Sequence, residues 1–266
     1  MTSVSELFEK TRAEGRAALV GYLPAGFPTV AESAALIEAM VAGGVDLVEV
    51  GLPYSDPVMD GPTIQAAAEQ ALTEGFRVAE LFDVVRASAA VAPTVVMTYW
   101  NPVEKYGVER FAADLAAAGG SGLITPDLIP DEAGEWIAAS EQHDLDRIFL
   151  VAPSSTDDRI SMTTEAASGF VYATAVMGVT GARQETSSLA PELVTRTRST
   201  TDKPIGVGLG VSNGLQAREV AEFADAVIVG SALVRAVLDA PDHAAAIAAI
   251  TELARDLRSG VERTSV

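Results

Sequence analysis

The chain contains no cysteine, which excludes both disulfide staples and thiolate chemistry. Histidine is nearly as scarce. Only His143 and His243 occur, each in a polar helical stretch where a solvated surface role is expected rather than a ligand or general base. Lysine is limited to Lys10, Lys105 and Lys203, and no His/Asp/Glu cluster has metal-ligand spacing, so no metal site is expected. Positive charge is short overall, leaving a net charge of −19. That excess argues against nucleic acid, which needs a basic footprint, and against docking on anionic membranes. No run approaches the ~18 apolar residues of a membrane span. The opening stretch Met1–Arg16 carries Glu6, Glu9, Lys10, Arg12 and Glu14 rather than the apolar core of a signal peptide. A cytoplasmic location is expected. A dinucleotide fingerprint is missing too. The first apolar run leads into Tyr22-Leu23-Pro24-Ala25-Gly26-Phe27-Pro28, not into a G-x-G-x-x-G turn.

What the 266 residues do contain is a regular alternation, with 48% hydrophobic residues to build a core. Apolar runs at Ala17–Gly21, Leu47–Gly51, Thr94–Thr98, Gly122–Thr125, Arg147–Ala152, Gly169–Thr174, Pro204–Gly208 and Ala226–Gly230 read as strands. Amphipathic stretches lie between them, among them Val30–Ala42, Val108–Ala118, Asp131–Gln142, Leu215–Phe223 and Leu233–Leu238. Nearly continuous apolar strands alternating with helices are the mark of parallel β-structure covered by helices. Eight such units in a chain near ~250 residues predict an α/β fold, a (β/α)8 TIM barrel. A short extra helix (about Ser3–Glu14) should precede it. No low-complexity linker divides the chain, so residues 1–266 are expected to form a single domain. The tail from Thr251 should start helical and fray after Gly260.

The segment Val48-Glu49-Val50-Gly51-Leu52-Pro53-Tyr54-Ser55-Asp56-Pro57-Val58-Met59-Asp60-Gly61-Pro62-Thr63 carries the densest chemical signal. Glu49 lies near the end of the second predicted strand, where barrel enzymes keep their catalytic groups. If it points inward, Leu47 and Gly51 share its face while Val48 and Val50 meet the helices. Desolvation there would raise its pKa and make it an acid–base candidate. The alternative is a structural ion pair, but the strands offer few cations, and Arg147 starts its strand at the wrong end. Asp60 follows in a loop stiffened by Pro53, Pro57 and Pro62. Asp56, before Pro57, is its rival, and turn formation is a common use for such an Asp. Residue chemistry alone does not rank the two.

Two glycine-rich turns suggest a phosphate site. Gly206-Val207-Gly208-Leu209-Gly210-Val211-Ser212-Asn213 leaves the seventh predicted strand, and Val229-Gly230-Ser231-Ala232 leaves the eighth, with Ser231 as a candidate N-cap. Loops in these two positions, next to a helix N-terminus, recur as phosphate sites in barrels. Given the acidic chain, such a grip has to come from backbone N–H groups. After the sixth strand, Phe170 to Arg183 includes Gly178-Val179-Thr180-Gly181, hinge-capable backbone ahead of a polar run to Ser188. A loop of that kind can close over a ligand and exclude water.

The segment from Glu49 to Gln65 closely resembles the signature of the tryptophan synthase alpha chain family. Similar pieces extend the resemblance over nearly the whole chain, from Gly21–Pro28 through Met97-Thr98-Tyr99-Trp100-Asn101-Pro102 and Asp127-Leu128-Ile129-Pro130 to the Gly230-Ser231 turn. Departures are small: Tyr22 and Tyr54 stand where many members have Phe, and Val176 where some have Arg. The resemblance implies a lyase that splits indole-3-glycerol phosphate into indole and glyceraldehyde 3-phosphate. It assigns the catalytic roles to Glu49 and Asp60, leaving Asp56 a structural or interface role. It further implies substrate contacts at Tyr22, Tyr99, Tyr172 and Thr180, and phosphate contacts at Gly181, Gly210, Gly230 and Ser231. Pro53, Asp56, Asn101 and Pro130 would face a pyridoxal-phosphate-dependent beta chain in an alpha2beta2 heterotetramer. This chain itself would need no cofactor.

Such a cleavage is a retro-aldol reaction and needs an electron sink. The lysines lie outside the strands or, like Lys203, at the N-terminal end of one. An indole protonated at C3 would serve as the sink, with Glu49 moving the protons and Asp60 accepting from the ring N–H. A stand-alone indole-releasing lyase of the same fold, or a non-catalytic activating subunit, are the competing functions.

Overall fold

The computed structural model describes residues 3–174 and 189–262. Its strands are β1 (Ala18–Pro24), β2 (Leu47–Gly51), β3 (Thr94–Met97), β4 (Gly122–Ile124), β5 (Asp146–Ile148), β6 (Leu150–Val151), β7 (Val171–Thr174), β8 (Ile205–Gly208) and β9 (Ala226–Val229). Every neighbouring pair is parallel, in the order β5-β4-β3-β2-β1-β9-β8-β7-β6. The two ends of that order, β5 and β6, are separated by Phe149 alone. Ile148 and Leu150 both face the inner cluster and Phe149 the outer one, so the in-out alternation runs straight through. The chain from Asp146 to Val151 is thus one stave, paired with β4 through its first half and with β7 through its second. The stagger that closes a barrel produces such a handover. The predicted (β/α)8 TIM barrel is the fold found.

Helices α1 (Val4–Ala13), α2 (Val30–Ala42), α3 (Pro62–Thr73), α4 (Val78–Ala89), α5 (Trp100–Tyr106), α6 (Val108–Ala117), α7 (Gly134–Gln142), α8 (Asp157–Ala166), α9 (Leu189–Arg198), α10 (Gly214–Ala221), α11 (Ser231–Leu238) and α12 (His243–Gly260) follow in chain order. Local sequence starts many of them. Ser3 and Glu6 close a reciprocal capping box on α1, Thr29 caps α2, Asn213 caps α10 and Asp242 caps α12. Pro62 occupies the first turn of α3, where its missing N–H costs nothing. The last helix begins eight residues before the expected start at Thr251, because Asp242 supplies its cap, and it ends at Gly260 as anticipated.

The core has two shells. The larger lies between barrel and helices and includes Leu19, Val48, Val50, Phe111 and Trp136. The smaller fills the barrel with Val20, Leu47, Val95, Ile124, Phe170 and Ile228. Val4, Leu7 and Phe8 of α1 belong to this inner shell, Phe8 meeting Phe170 at 5.6 Å between ring centroids. The extra helix therefore plugs the N-terminal end of the barrel. His143 and His243 are half-buried rather than fully solvated. Each faces a carboxylate, Glu109 at 2.7 Å and Glu32 at 3.7 Å respectively.

That same end holds a buried ion pair. Arg16, 6% exposed, donates from Nη1 and Nη2 to the two carboxylate oxygens of Asp46 at 2.6 and 2.8 Å. The Leu19 N–H also donates to Asp46, at 2.9 Å. Asp46→Ala strips a buried guanidinium of its bidentate partner, and chemical denaturation should register a loss of about 3 kcal/mol. A loss near zero would mean that Glu14, which also accepts from Arg16 at 2.7 Å, suffices by itself.

Candidate active site

Glu49 is set in β2 by register, opposite Tyr22 of β1 and Val95 of β3. Leu47 lies in the inner shell while Val48 and Val50 lie in the outer one, so pleat alternation turns Glu49 into the barrel. The side chain is 1% exposed, and its Oε2 has no hydrogen-bond partner among the described residues. The anticipated rival, an ion pair with a strand arginine, is not formed there among the described residues; the Arg16–Asp46 pair sits below, at the opposite end of the barrel. Burial pushes the Glu49 carboxyl up to about 8. A buried, unpartnered carboxyl at a strand end is costly to keep, and such groups cluster at functional sites.

Asp60 reaches the same cleft from the loop after β2. Tyr99 and Gln65 hold it. The Tyr99 hydroxyl donates to Oδ1 at 2.9 Å and itself accepts from the Met59 N–H at 3.0 Å. Gln65, in the first turns of α3, donates from Nε2 to the Asp60 carbonyl at 2.7 Å. Burial raises the Asp60 carboxyl above its usual range, and the Tyr99 hydrogen bond works against that rise. Asp56 stands apart: it is exposed and accepts from the Ser55 hydroxyl at 2.5 Å. Geometry thus separates two aspartates that residue chemistry leaves level.

The cleft encloses about 930 Å³, its open mouth included. Tyr22, Glu49, Asp60, Tyr172, Gly210, Gly230 and Ser231 all line it. Among the residues expected as substrate contacts, Tyr99 is the exception. It is buried behind Asp60 and acts as that residue's support rather than as a wall. Thr180 and Gly181 lie outside the described residues, as does the rest of the glycine-containing loop they belong to. Tyr22 and Tyr172 pack tightly against glycine backbone. A side chain at Gly51 would strike the Tyr22 ring, and one at Gly208 would come within 2.6 Å of the Tyr172 hydroxyl. Burial, together with the nearby Asp60 and Glu49 charges, raises the Tyr22 phenol far above its ordinary range; burial and Glu49 do the same to Tyr172. Both hydroxyls therefore stay protonated donors.

Gly210 takes a left-handed φ of 71°, which glycine adopts freely. Ser231 is not the N-cap of α11. Gly230 caps that helix without a side-chain bond, and Ser231 is its first residue. Gly230 and Ser231, at the N-terminus of α11, both line the cleft, and the first-turn N–H groups of a helix have no partner within it. No basic side chain among the described residues lines the cleft, so an anion here meets backbone dipoles rather than cations.

The sequence assigns no role to several lining residues: Met59, Ile64, Met97, Leu150, Thr174 and Ile228. Strand alternation would have flagged Met97, Leu150 and Ile228 as inward-facing; Met59 and Ile64 sit on or beside the Asp60 loop. Of the residues expected to face a partner, Asp56 and Asn101 are exposed and Pro130 is half-buried. Pro53 is buried within its own chain and offers a partner little surface. Asn101 donates to the Tyr54 hydroxyl at 3.1 Å, and the Tyr54 ring leans on Tyr99 at 5.4 Å.

Fold and cleft together define a (β/α)8-barrel protein with an acidic, small-molecule cleft at the C-terminal mouth, where barrel enzymes work. Comparison with known proteins narrows the class. Residues 8–262 match the family model described as tryptophan synthase alpha chain. The tryptophan synthase alpha chains of Acidothermus cellulolyticus and Salinispora arenicola are 61% and 62% identical to this chain, over 99% and 98% of it and 98% of each relative. A Mycobacterium tuberculosis tryptophan synthase structure superimposes with a TM-score of 0.93 at 55% identity, covering 99% of this chain and all of that one. The alpha subunit from Legionella pneumophila gives 0.86 at 31% identity, over 98% of both chains. The chain belongs to the tryptophan synthase alpha chain family, lyases of tryptophan biosynthesis that cleave indole-3-glycerol phosphate and work with a beta chain.

Proposed function

We propose that this chain cleaves indole-3-glycerol phosphate with Glu49 as its proton-transfer group and Asp60 as its ring anchor. One observation carries the reading: a carboxyl 1% exposed, its Oε2 without a hydrogen-bond partner among the described residues, in the cleft that Asp60 and the phosphate turns share. With its pKa raised to about 8, Glu49 rests largely as the neutral acid at neutral pH. It gives its proton to indole C3, which turns the ring into an electron sink. The resulting carboxylate takes the proton of the side-chain hydroxyl next to the ring. The bond from C3 to that carbon then breaks, its electron pair restores the aromatic ring, and the hydroxyl carbon becomes the aldehyde of glyceraldehyde 3-phosphate. Glu49 ends protonated, as it began, so no co-reactant is required.

Asp60 accepts from the indole N–H through the oxygen that Tyr99 leaves open, and its negative charge favours the cationic ring. Tyr22 and Tyr172 enclose the ring, and Thr180 joins them on the substrate. Gly181, Gly210, Gly230 and Ser231 hold the phosphate through backbone N–H groups and the α11 N-terminus. Residues 1–266 act as one barrel domain in the cytoplasm. Asp56, Asn101 and Pro130, and less directly Pro53, meet the beta chain in an alpha2beta2 assembly. The test is indole release from indole-3-glycerol phosphate, measured with and without a beta chain. Release that rises strongly when the beta chain is added supports the reading. Equal rates in both conditions favour a stand-alone lyase, and no release in either favours a non-catalytic subunit.

A further inference from the structure

We propose that Arg235 is a positioning residue, joining the helix at the phosphate turn to the helix that carries the Asp60 loop. The inference rests on the reading of Asp60 and Ser231 given above. Arg235 lies four residues after Ser231 in α11, one turn further along the same face. Its Nη2 donates to the Thr63 hydroxyl across a sequence gap of 172 residues. Thr63 is the second residue of α3, three after Asp60, and it is 6% exposed. From there Gln65, two residues further into α3, holds the Asp60 carbonyl at 2.7 Å. Arg235 makes no ion pair among the described residues, and a cation beside the N-terminus of α3 opposes that helix dipole. Charge pairing does not explain the contact, and although a cation in the last turn of α11 suits that helix's own dipole, this needs no bond to Thr63. What the contact does is fix the start of α3 against α11, and so set how far Asp60 stands from a phosphate held at Ser231. A substrate bound at both ends needs that distance held.

The experiment is a double-mutant cycle of Arg235→Met and Thr63→Val, with Thr63→Ser as the conservative control, each assayed with its beta chain for kcat and KM. Either single change should cut kcat by about tenfold, the scale of a small misplacement of a catalytic group, with KM changing less. The double variant should be no worse than the singles, because both remove one contact. Thr63→Ser, which keeps the hydroxyl, should restore most of kcat. Additive losses, wild-type kcat in either single variant, or losses that Thr63→Ser does not restore would overturn the proposal. Glu49→Gln run alongside separates the failures. If it is inactive while the Arg235 and Thr63 variants are normal, only this inference falls; if it is active, the site reading itself falls.

Discussion

Replacing Glu49 with glutamine is expected to lower kcat for indole release by roughly 10²–10⁴-fold, the range over which a positioned proton donor and acceptor contributes. Glutamine keeps nearly the shape and volume of the acid and fits a position that is 1% exposed. It cannot deliver a proton to C3, nor take one back from the hydroxyl. Binding should survive, since the phosphate turns and Asp60 are untouched. The loss should therefore fall on kcat, with KM little changed, which is the pattern of an interaction made only in the transition state. Steady-state kinetics with the beta chain present would show it. A variant within a few-fold of the unmodified protein would contradict the assignment.

The same substitution should make the chain more stable, and only above a certain pH. In the unfolded chain the Glu49 carboxyl ionises near 4.5, while in the folded chain burial holds it protonated up to about 8. Between those values the unfolded state binds fewer protons than the folded one, so stability falls as pH rises. Below 4.5 both states are protonated and the group contributes no difference; above 8 both are ionised and the whole penalty is present. At 1.36 kcal/mol per unit, that penalty reaches at most about 4 to 5 kcal/mol. Glutamine does not titrate. The stability difference between Glu49→Gln and the unmodified chain should therefore grow in the variant's favour from pH 4.5 to 8 and level off above. Urea denaturation at a series of pH values measures it, and a difference that stays flat across that window would refute the burial account. An enzyme that keeps such a group sacrifices stability at its working site.

Much of the fold and half of the site are legible in the order of residues alone. Strand positions follow from short apolar runs, and each predicted run overlaps a strand or, at Arg147–Ala152, the pieces β5 and β6. Pleat alternation around Glu49 is enough to turn it inward. What stays hidden depends on contacts distant in sequence. Tyr99 reads as an aromatic wall because its bond to Asp60 spans 39 residues and leaves no local pattern. The Arg235–Thr63 contact spans far more and carries no motif. The amphipathic face of α1 announces a helix but not its destination inside the barrel. Strand β1 runs on to Pro24, past its predicted end at Gly21, because Tyr22, Leu23 and Pro24 continue in register with Glu49, Val50 and Gly51. Ser231 is a reasonable N-cap by residue type. The helix starts one residue earlier than that role requires, with Gly230 in the capping position.

The most direct test of the account is the titration of the Glu49 carboxyl in the free chain, followed by ¹³C NMR with the signal assigned by its absence in Glu49→Gln. A midpoint near 8 is the predicted result. A midpoint near 4.5, the ordinary value for a glutamate in water, would mean that the group is hydrated or paired and cannot carry the proton as described.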